Sequence, residues 1–341
     1  MSLKSQLFVI AVVWCSLSTS TMSQLRAAPA GNSTPGTSST HVEDHVCEAA
    51  PSRPEGKLRH RRSRLVTALG SPRHRGYDVV AAPGADHVIR GSLSYGKAHK
   101  DLEDEDVELF ACDRGEWRAL GTARTDDDGN FQLALTGSRR LASGMRDLYA
   151  SVVGDRTGVR FLAYVAPQAT RVIVSDVDGT LTIDEHAFIK TVVAGTRIGA
   201  KPGAAAAFHG LAANGYQPVY LTARGEVFTE KTRAWLAQQG FPRGPMILAE
   251  DLVTVPGPST VEFKTGAMDA LRAAGLVVAG GIGNRATDIA AYEAMGLPAN
   301  RIFIGTQDFA GELAPALSAG RATAFSHYDA LAAAHLARLP R

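Results

Sequence analysis

The stretch Val172–Thr182, VIVSDVDGTLT, decides the fold of this chain. Its first three residues are apolar and predict a buried strand, and Gly179 predicts a turn just after it. Two carboxylates, Asp176 and Asp178, follow the strand with one residue between them. Two acids are costly to hold together unless a cation or a reaction needs them. We therefore expect a phosphoryl group and a divalent metal beyond the carboxyl end of a central strand; the alternative is an acidic loop that caps a helix.

Strands alternate with helical segments from residue 171 onward, and this alternation predicts a parallel α/β sheet. The strands expected after the first one are 218–221, 245–248, 277–281 and 301–304. The helices expected between and after them are 203–213, 226–239, 263–274 and a last one that ends at residue 295. In such a sheet the polar residues at the carboxyl ends of the strands gather at one ligand site.

Polar residues do stand at these positions. Thr222 ends the second strand, so its hydroxyl is expected to bond a phosphoryl oxygen or, alternatively, to cap a helix. Lys264 is predicted at a helix N-terminus, where the helix dipole disfavours a cation and invites an anionic partner; a surface lysine is the alternative. Asn284 and Asp288 follow the fourth strand and are expected to complete a hard-metal shell, although Asp288 alone would be an ordinary helix cap.

The motif Asp176-Val-Asp178-Gly-Thr180 resembles the first motif of the haloacid-dehalogenase superfamily, whose phosphatases form an aspartyl-phosphate. The segments 283–288, GNRATD, and 219–224, VYLTAR, are similar to the lipin-type phosphatidate phosphatases. The segment 234–244, AWLAQQGFPRG, looks closer still to the carboxyl-terminal domain of the membrane-associated phosphatidylinositol-transfer proteins. In those transfer proteins the nucleophile position is no longer Asp, and the domain is thought to bind phosphatidate without cleaving it. This chain keeps both acids of the motif, so we expect an enzyme.

The resemblance implies a magnesium-dependent phosphomonoester hydrolase. Asp176 is the expected nucleophile, and Asp178 is the expected acid that protonates the leaving alkoxide and then activates water. Mg²⁺ would be held by Asp176, by the backbone carbonyl of Asp178 and by the side chain of Asn284 or Asp288.

The same resemblance implies the phosphate-binding residues. Thr180 is expected to hold Asp178, while Thr222, Arg224 and Lys264 neutralise charge on the transferring phosphoryl group. The expected substrate is phosphatidate or a related lipid phosphate, with peripheral membrane contact. The alternatives are a module that binds anionic lipid without turnover, and an exported phosphatase of a non-lipid substrate.

The chain is predicted to divide into a signal peptide at 1–30, a disordered and basic linker at 31–70, an immunoglobulin-like β-sandwich at 71–168 and the haloacid-dehalogenase-like domain at 169–341. The signal segment has Lys4 before an apolar run from Leu7 to Leu17, too short to cross a bilayer, and predicts export; an uncleaved anchor is the alternative. The sandwich is expected from short alternating strands at 87–95, 106–112, 117–125, 130–135, 148–153 and 159–165.

Charge and cysteine content bear on nucleic-acid binding, on lipid binding and on a disulfide. The 36 Lys and Arg nearly balance 34 Asp and Glu, which argues against wholesale nucleic-acid binding. The basic cluster from Lys57 to Arg75 is either a solvated surface or a patch for anionic lipid headgroups, and the first reading is slightly favoured. Cys47 and Cys112 either form a disulfide or are two unrelated thiols.

Overall fold

The computed structural model describes residues 43–183, 198–249 and 257–340; the predicted signal segment at 1–30 lies outside them. The strands within these ranges are numbered β1 to β17 in chain order: Asp44–His45, Arg75–Gly76, Val79–Ala81, His87–Ser92, Ser94–Tyr95, Lys100–Asp101, Asp106–Asp113, Glu116–Arg124, Asn130–Leu135, Gly144–Val152, Gly158–Val165, Arg171–Ser175, Gln217–Gly225, Met246–Ala249, Val277–Gly283, Ile302–Gly305 and Thr323–Phe325. The α-helices within the described residues are Arg61–Thr67, Ala204–Ala213, Thr229–Gln238, Pro258–Ala273, Ala286–Ala294, Ala310–Ser318 and Tyr328–Ala334.

A β-sandwich occupies the first part of the described chain, as the alternating strands predict. One sheet has the order β3-β11-β10-β7-β8, with β1 beside β10, and a second has the order β2-β4-β9. Most of the pairs are antiparallel. Buried apolar side chains from both sheets, among them Ile89, Leu109, Phe131 and Phe161, form one core. The domain boundaries at 30, 70 and 168 stay predictions.

The two cysteines pair with each other. Cys47 and Cys112 form a disulfide with their Cα atoms 5.8 Å apart, and both side chains are buried. This bond fastens the segment that precedes the sandwich to strand β7.

A six-stranded parallel sheet follows, with the order β14-β13-β12-β15-β16-β17. Successive residues of β12 point to opposite faces of the sheet. Ile173 therefore joins one buried cluster together with Phe208 and Trp235. Val172 and Val174 join the other cluster. Both faces are covered, which is the arrangement of a doubly wound α/β fold, and the predicted fold class is confirmed.

The sandwich shares the second of these clusters. Met145, Leu162 and Tyr164 point out of the sandwich and are buried with Val172 and Val174 of β12. The two sheets are thus packed on one another through an apolar contact.

One expectation about this sheet is wrong in detail, and one of its strands was not predicted. The helix predicted to open near Lys264 starts at Pro258, because proline is well suited to a first helical turn. Lys264 therefore lies inside the helix and is not at the N-terminus, where the sequence predicted it. Strand β17, Thr323–Phe325, was not expected, because three residues are too few for a pattern of alternation.

Candidate active site

The carboxyl end of β12 is the point where the order of the sheet reverses. The chain first adds β13 and β14 on one side of β12 and then β15, β16 and β17 on the other. Loops on the two sides diverge here and leave a crevice, which is where open α/β sheets bind ligands. The loop that begins at Asp176 leaves β12 at this point, and Gly179 turns it with a φ of 66°, which few side chains tolerate.

Asp176 is buried at the base of the crevice, only 6% exposed. Its backbone N–H donates to the carbonyl of Ile282 in β15 at 3.0 Å, which fixes the start of the loop. Oδ1 accepts a hydrogen bond from Lys264 Nζ at 2.7 Å, and Oδ2 accepts one from Thr180 Oγ1 at 3.0 Å. Burial raises the pKa of the Asp176 carboxyl to about 7, with Lys264 acting against the rise and Asp288 adding to it.

Lys264 is a buried cation between two carboxylates. Its Nζ lies 2.7 Å from Asp176 Oδ1 and 2.5 Å from Asp288 Oδ1, and its side chain is 4% exposed. Burial lowers the pKa of Lys264, but the two carboxylates outweigh that effect and leave the pKa raised. The lysine is therefore charged, and it holds Asp176 in place.

Asp178 has a different environment, although only one residue separates it from Asp176. Its side chain is 23% exposed. Two nitrogens of Arg224 donate hydrogen bonds to Asp178, Nη2 to Oδ1 at 2.6 Å and Nε to Oδ2 at 2.8 Å. Thr222 Oγ1 donates to Oδ2 at 3.0 Å. Arg224 is itself oriented by a bond from Nη1 to Thr232 Oγ1 at 2.9 Å.

Asn284 directly follows β15, and Asp288 lies in the first turn of the helix Ala286–Ala294. Both oxygens of Asp288 are engaged: Oδ1 by Lys264, and Oδ2 by the backbone N–H groups of Asn284 and Arg285 at 3.0 Å each. A Cβ on Gly283 would come within 2.5 Å of the Asp288 side chain, so this close turn needs glycine. Asn284 Oδ1 lies 3.0 Å from Thr180 Oγ1.

Every site residue predicted from the sequence lies around this crevice, joined by the hydrogen bonds just given. Their connections differ from those expected. Thr180 donates to Asp176 instead of holding Asp178. Thr222 and Arg224, expected to contact phosphate, both bind Asp178.

Three supporting residues were missed in the sequence. Tyr328 donates to the carbonyl of Thr180 at 3.0 Å, Tyr292 donates to the carbonyl of Ile282 at 2.9 Å, and Thr182 Oγ1 accepts the N–H of Gly179 at 2.8 Å. Only Thr182, within the motif itself, carried a signal that could have been read.

No cluster of three or more His, Cys, Asp and Glu side chains is placed to hold a metal ion anywhere in 43–183, 198–249 or 257–340. In the same ranges no helix combines the length and the apolar character needed to cross a bilayer. Phe188, Ile189, Val192 and Val193 are apolar in the sequence and predict either a rim that contacts lipid or packing inside a short helix. These residues lie outside the described ranges.

The chain matches two models of one protein family. Residues 173–305 match the LNS2 domain of PITM 1-3, and residues 72–165 match the beta-sandwich domain of PITM 1-3. The resemblance predicted from the sequence is therefore confirmed over both the parallel sheet and the sandwich.

Individual proteins with names of the same kind are also similar to the chain in sequence. Human membrane-associated phosphatidylinositol transfer protein 3 is 26% identical over 259 residues, which are 75% of this chain and 26% of the relative. The retinal degeneration B protein of Drosophila melanogaster is also 26% identical over 259 residues, 74% of this chain and 20% of the relative. The chain thus spans about a quarter of the length of these relatives or less.

A solved class C acid phosphatase from Bacillus anthracis shares 14% identity over 46% of this chain and 65% of its own, with a TM-score of 0.30.

The prediction that the chain is exported is wrong. The relatives that it matches over three quarters of its length are named membrane-associated phosphatidylinositol transfer proteins, and those names describe association with a membrane. The segment on which export was predicted lies outside the described residues.

Proposed function

We propose that this chain hydrolyses phosphate monoesters through an aspartyl-phosphate on Asp176, and that its substrate is phosphatidate or a related lipid phosphate. One observation carries the proposal: Asp176 and Asp178 are both present and lie in opposite environments on one loop. Asp176 is buried and fixed by Lys264 and Thr180, as a nucleophile must be. Asp178 is partly exposed, where an acid can reach both a leaving group and water.

The reaction needs two displacements at phosphorus. In the first, an Asp176 oxygen bonds to phosphorus, the bond from phosphorus to the ester oxygen breaks, and Asp178 gives its proton to the departing alkoxide. In the second, Asp178 takes a proton from water, the water oxygen bonds to phosphorus, and Asp176 leaves as a carboxylate. Lys264 neutralises charge beside the transferring group. Because Arg224 donates hydrogen bonds to both oxygens of Asp178, these contacts have to loosen for Asp178 to pass a proton.

The residues of the crevice fit Mg²⁺. Thr180 has one hydroxyl proton but lies 3.0 Å from both Asp176 Oδ2 and Asn284 Oδ1, so it can donate to only one of them. Asn284 Nδ2 is buried and has no hydrogen-bond partner among the described residues. Turning the amide over lets Nδ2 donate to Thr180 and puts a free oxygen at the unpartnered position. The carboxylate of Asp176 and the amide oxygen of Asn284, both of which lie beside Thr180, are ligands that suit a hard cation.

Asp176, the backbone carbonyl of Asp178 and the amide oxygen of Asn284 would hold the ion, which would supply charge neutralisation to the phosphoryl oxygens. Asp288 is a weaker candidate than Asp176, because three donors occupy its oxygens whereas two occupy those of Asp176.

The lipid substrate is supported by the relatives, whose names place them at membranes and with phosphatidylinositol. Those names also support a second candidate: a module that binds anionic lipid and does not turn it over. The tight pair between Arg224 and Asp178 is what such a module would keep.

Phosphate release separates the two candidates. Vesicles that contain phosphatidate are incubated with wild type, with Asp176→Asn and with Asp127→Asn, a matched change in an exposed turn. We expect release from wild type and Asp127→Asn that chelation of divalent metal abolishes, and a loss of more than 1,000-fold in Asp176→Asn, on the order seen when a catalytic group is removed. Vesicle binding without release in all three would refute the phosphatase and leave the binding module. Release from a soluble ester but not from phosphatidate would refute the lipid substrate.

A further inference from the structure

The helix Arg61–Thr67 carries a surface that the catalytic proposal does not use. Residues 57–75 contain seven Lys and Arg and no Asp or Glu. Some of these charges are paired with the sandwich: Arg59 lies 3.7 Å from Asp106, and Arg62 lies 3.4 Å from Glu103. Arg61 and Arg64 are exposed, and neither forms a salt bridge with any described residue. The helix therefore presents free positive charge to solvent.

The same surface is apolar as well as basic. Leu65 is 72% exposed and Leu69 is 59% exposed, the highest values for large apolar side chains in the described part of the chain. Leu69 continues the last helical turn, since its N–H donates to the carbonyl of Val66 at 3.0 Å. Residues four apart lie on one face of a helix, so the two leucines are neighbours. Exposing a pair of leucines to water is unfavourable, and it calls for a partner that covers them.

The opposite face of this helix is anchored, so the exposure is not the result of a loose end. Ser63 is buried, and Val66 packs against the sandwich core. The carbonyl of Leu69 lies so close to Gly96 that a Cβ there would come within 2.9 Å of it. The outward position of the leucines is therefore built into the fold.

The basic segment also leads to the mouth of the crevice. Burial raises the pKa of Glu230, in the helix Thr229–Gln238, and Arg73 is near enough to oppose that rise. Tyr77 hydrogen-bonds to Glu226, two residues after Arg224, and burial together with that bond raises the pKa of Tyr77 to about 12.

Two exposed apolar side chains also lie close in sequence to residues of the crevice. Val227, next to Glu226, is 42% exposed, and Ile183, which follows the motif at 176–182, is 53% exposed. The leucines of the helix are thus joined to the crevice through residues 73–77, and apolar side chains flank the crevice itself.

We propose that this surface, formed by Arg61, Arg64, Leu65 and Leu69, docks the protein on the anionic leaflet of a bilayer. Arginine heads would contact lipid phosphates, and the leucines would enter the boundary between headgroups and acyl chains. A soluble acidic partner would pair with the arginines but would leave no reason for two outward leucines. Docking through this surface would bring the crevice to the membrane. Docking does not depend on catalysis, because it requires an anionic lipid and not a phosphomonoester.

The test uses vesicles of phosphatidylcholine alone and of phosphatidylcholine with phosphatidylserine, an anionic lipid that is not a phosphomonoester. Cosedimentation is measured for the full chain, for Arg61→Gln/Arg64→Gln, for Leu65→Ser/Leu69→Ser and for the control Val88→Ser, whose side chain is 42% exposed on a sandwich strand. Wild type and Val88→Ser should prefer the anionic vesicles, and salt should weaken that preference. Removing two charges should weaken binding by about 30-fold, and removing the leucines by about tenfold.

Outcomes of two kinds would overturn the proposal. Equal binding of wild type to both vesicle types, or unchanged binding in both double variants, would exclude the docking surface. Self-association of wild type that is lost in the leucine variant, without vesicle binding, would assign the surface to a second copy of the chain. Hydrolysis of a soluble phosphate ester should be the same in wild type and both double variants, so a failure of docking and a failure of the phosphatase are told apart.

Discussion

Asp78→Ala should be among the most destabilising single changes outside the crevice. Asp78 lies between two sandwich strands, and its side chain is 0% exposed. One oxygen accepts the N–H of Leu162 at 2.8 Å and meets Arg233 Nη2 at 2.6 Å. The other accepts the N–H of Met246, the first residue of β14, at 2.8 Å. One carboxylate therefore joins the sandwich to a helix and a strand of the parallel sheet.

The magnitude follows from what the substitution leaves unpaired. Two N–H groups would lose their acceptor, at about 1 to 3 kcal/mol each. The ion pair with Arg233, whose side chain is 27% exposed, adds no more than about 1 kcal/mol because solvent screens it. The free energy of unfolding should therefore fall by about 2 to 7 kcal/mol, a large part of the roughly 5 to 15 kcal/mol that is usual for a folded protein.

Guanidinium denaturation followed by circular dichroism measures this loss. Asp78→Asn should lose less than Asp78→Ala, because the amide keeps one acceptor oxygen. The matched control is Asp86→Ala, which removes the partner of Arg140 at 2.7 Å but at a site where Asp86 is 57% exposed; we expect a change below about 1 kcal/mol there. If Asp78→Ala unfolds within 1 kcal/mol of wild type, water must replace the carboxylate at both N–H groups, and the reasoning from buried acceptors fails.

Lys264→Met should lower the free energy of unfolding by about 3 to 5 kcal/mol at pH 8, because two buried carboxylates lose their shared cation. Denaturation at pH 5 should show a smaller loss, since protonation of Asp176 removes its repulsion with Asp288. Cys112→Ala should cost about 4 kcal/mol, since the bond to Cys47 closes a loop with a sequence separation of 65; dithiothreitol should shift the melting temperature of wild type but not of the variant. His74 has a pKa lowered to about 4 by burial, so the unfolded state takes up its proton first as pH falls. Stability from His74 is complete above pH 6.5 and should drop by about 1.5 kcal/mol between pH 6.5 and 5, a drop that His74→Gln should not show.

The parts of the fold that could be predicted are those set by local pattern. The apolar run of β12, the glycine after it and the polar residue at each later strand end all follow from periodicity and turn chemistry. The connections between the polar groups could not be predicted, since they depend on distances across the sheet. Arg224 and Asp178 are 46 residues apart in sequence, and no local pattern says that they meet. Asp78 looks like an ordinary acid near a turn, and only the packing of two sheets makes it a shared acceptor.

The two motif carboxylates have contrasting environments, and this is the difference that the proposed nucleophile and the proposed acid would use. Asp176 is surrounded by protein, and Lys264 and Thr180 each bind one of its oxygens. Asp178 is open to solvent on one side, and Arg224 holds it on the other. Two identical groups can act differently when their surroundings differ, and here burial and pairing differ at positions only two residues apart. This difference between the two acids is the observation on which the proposal of turnover rests, and phosphate release from phosphatidate tests it.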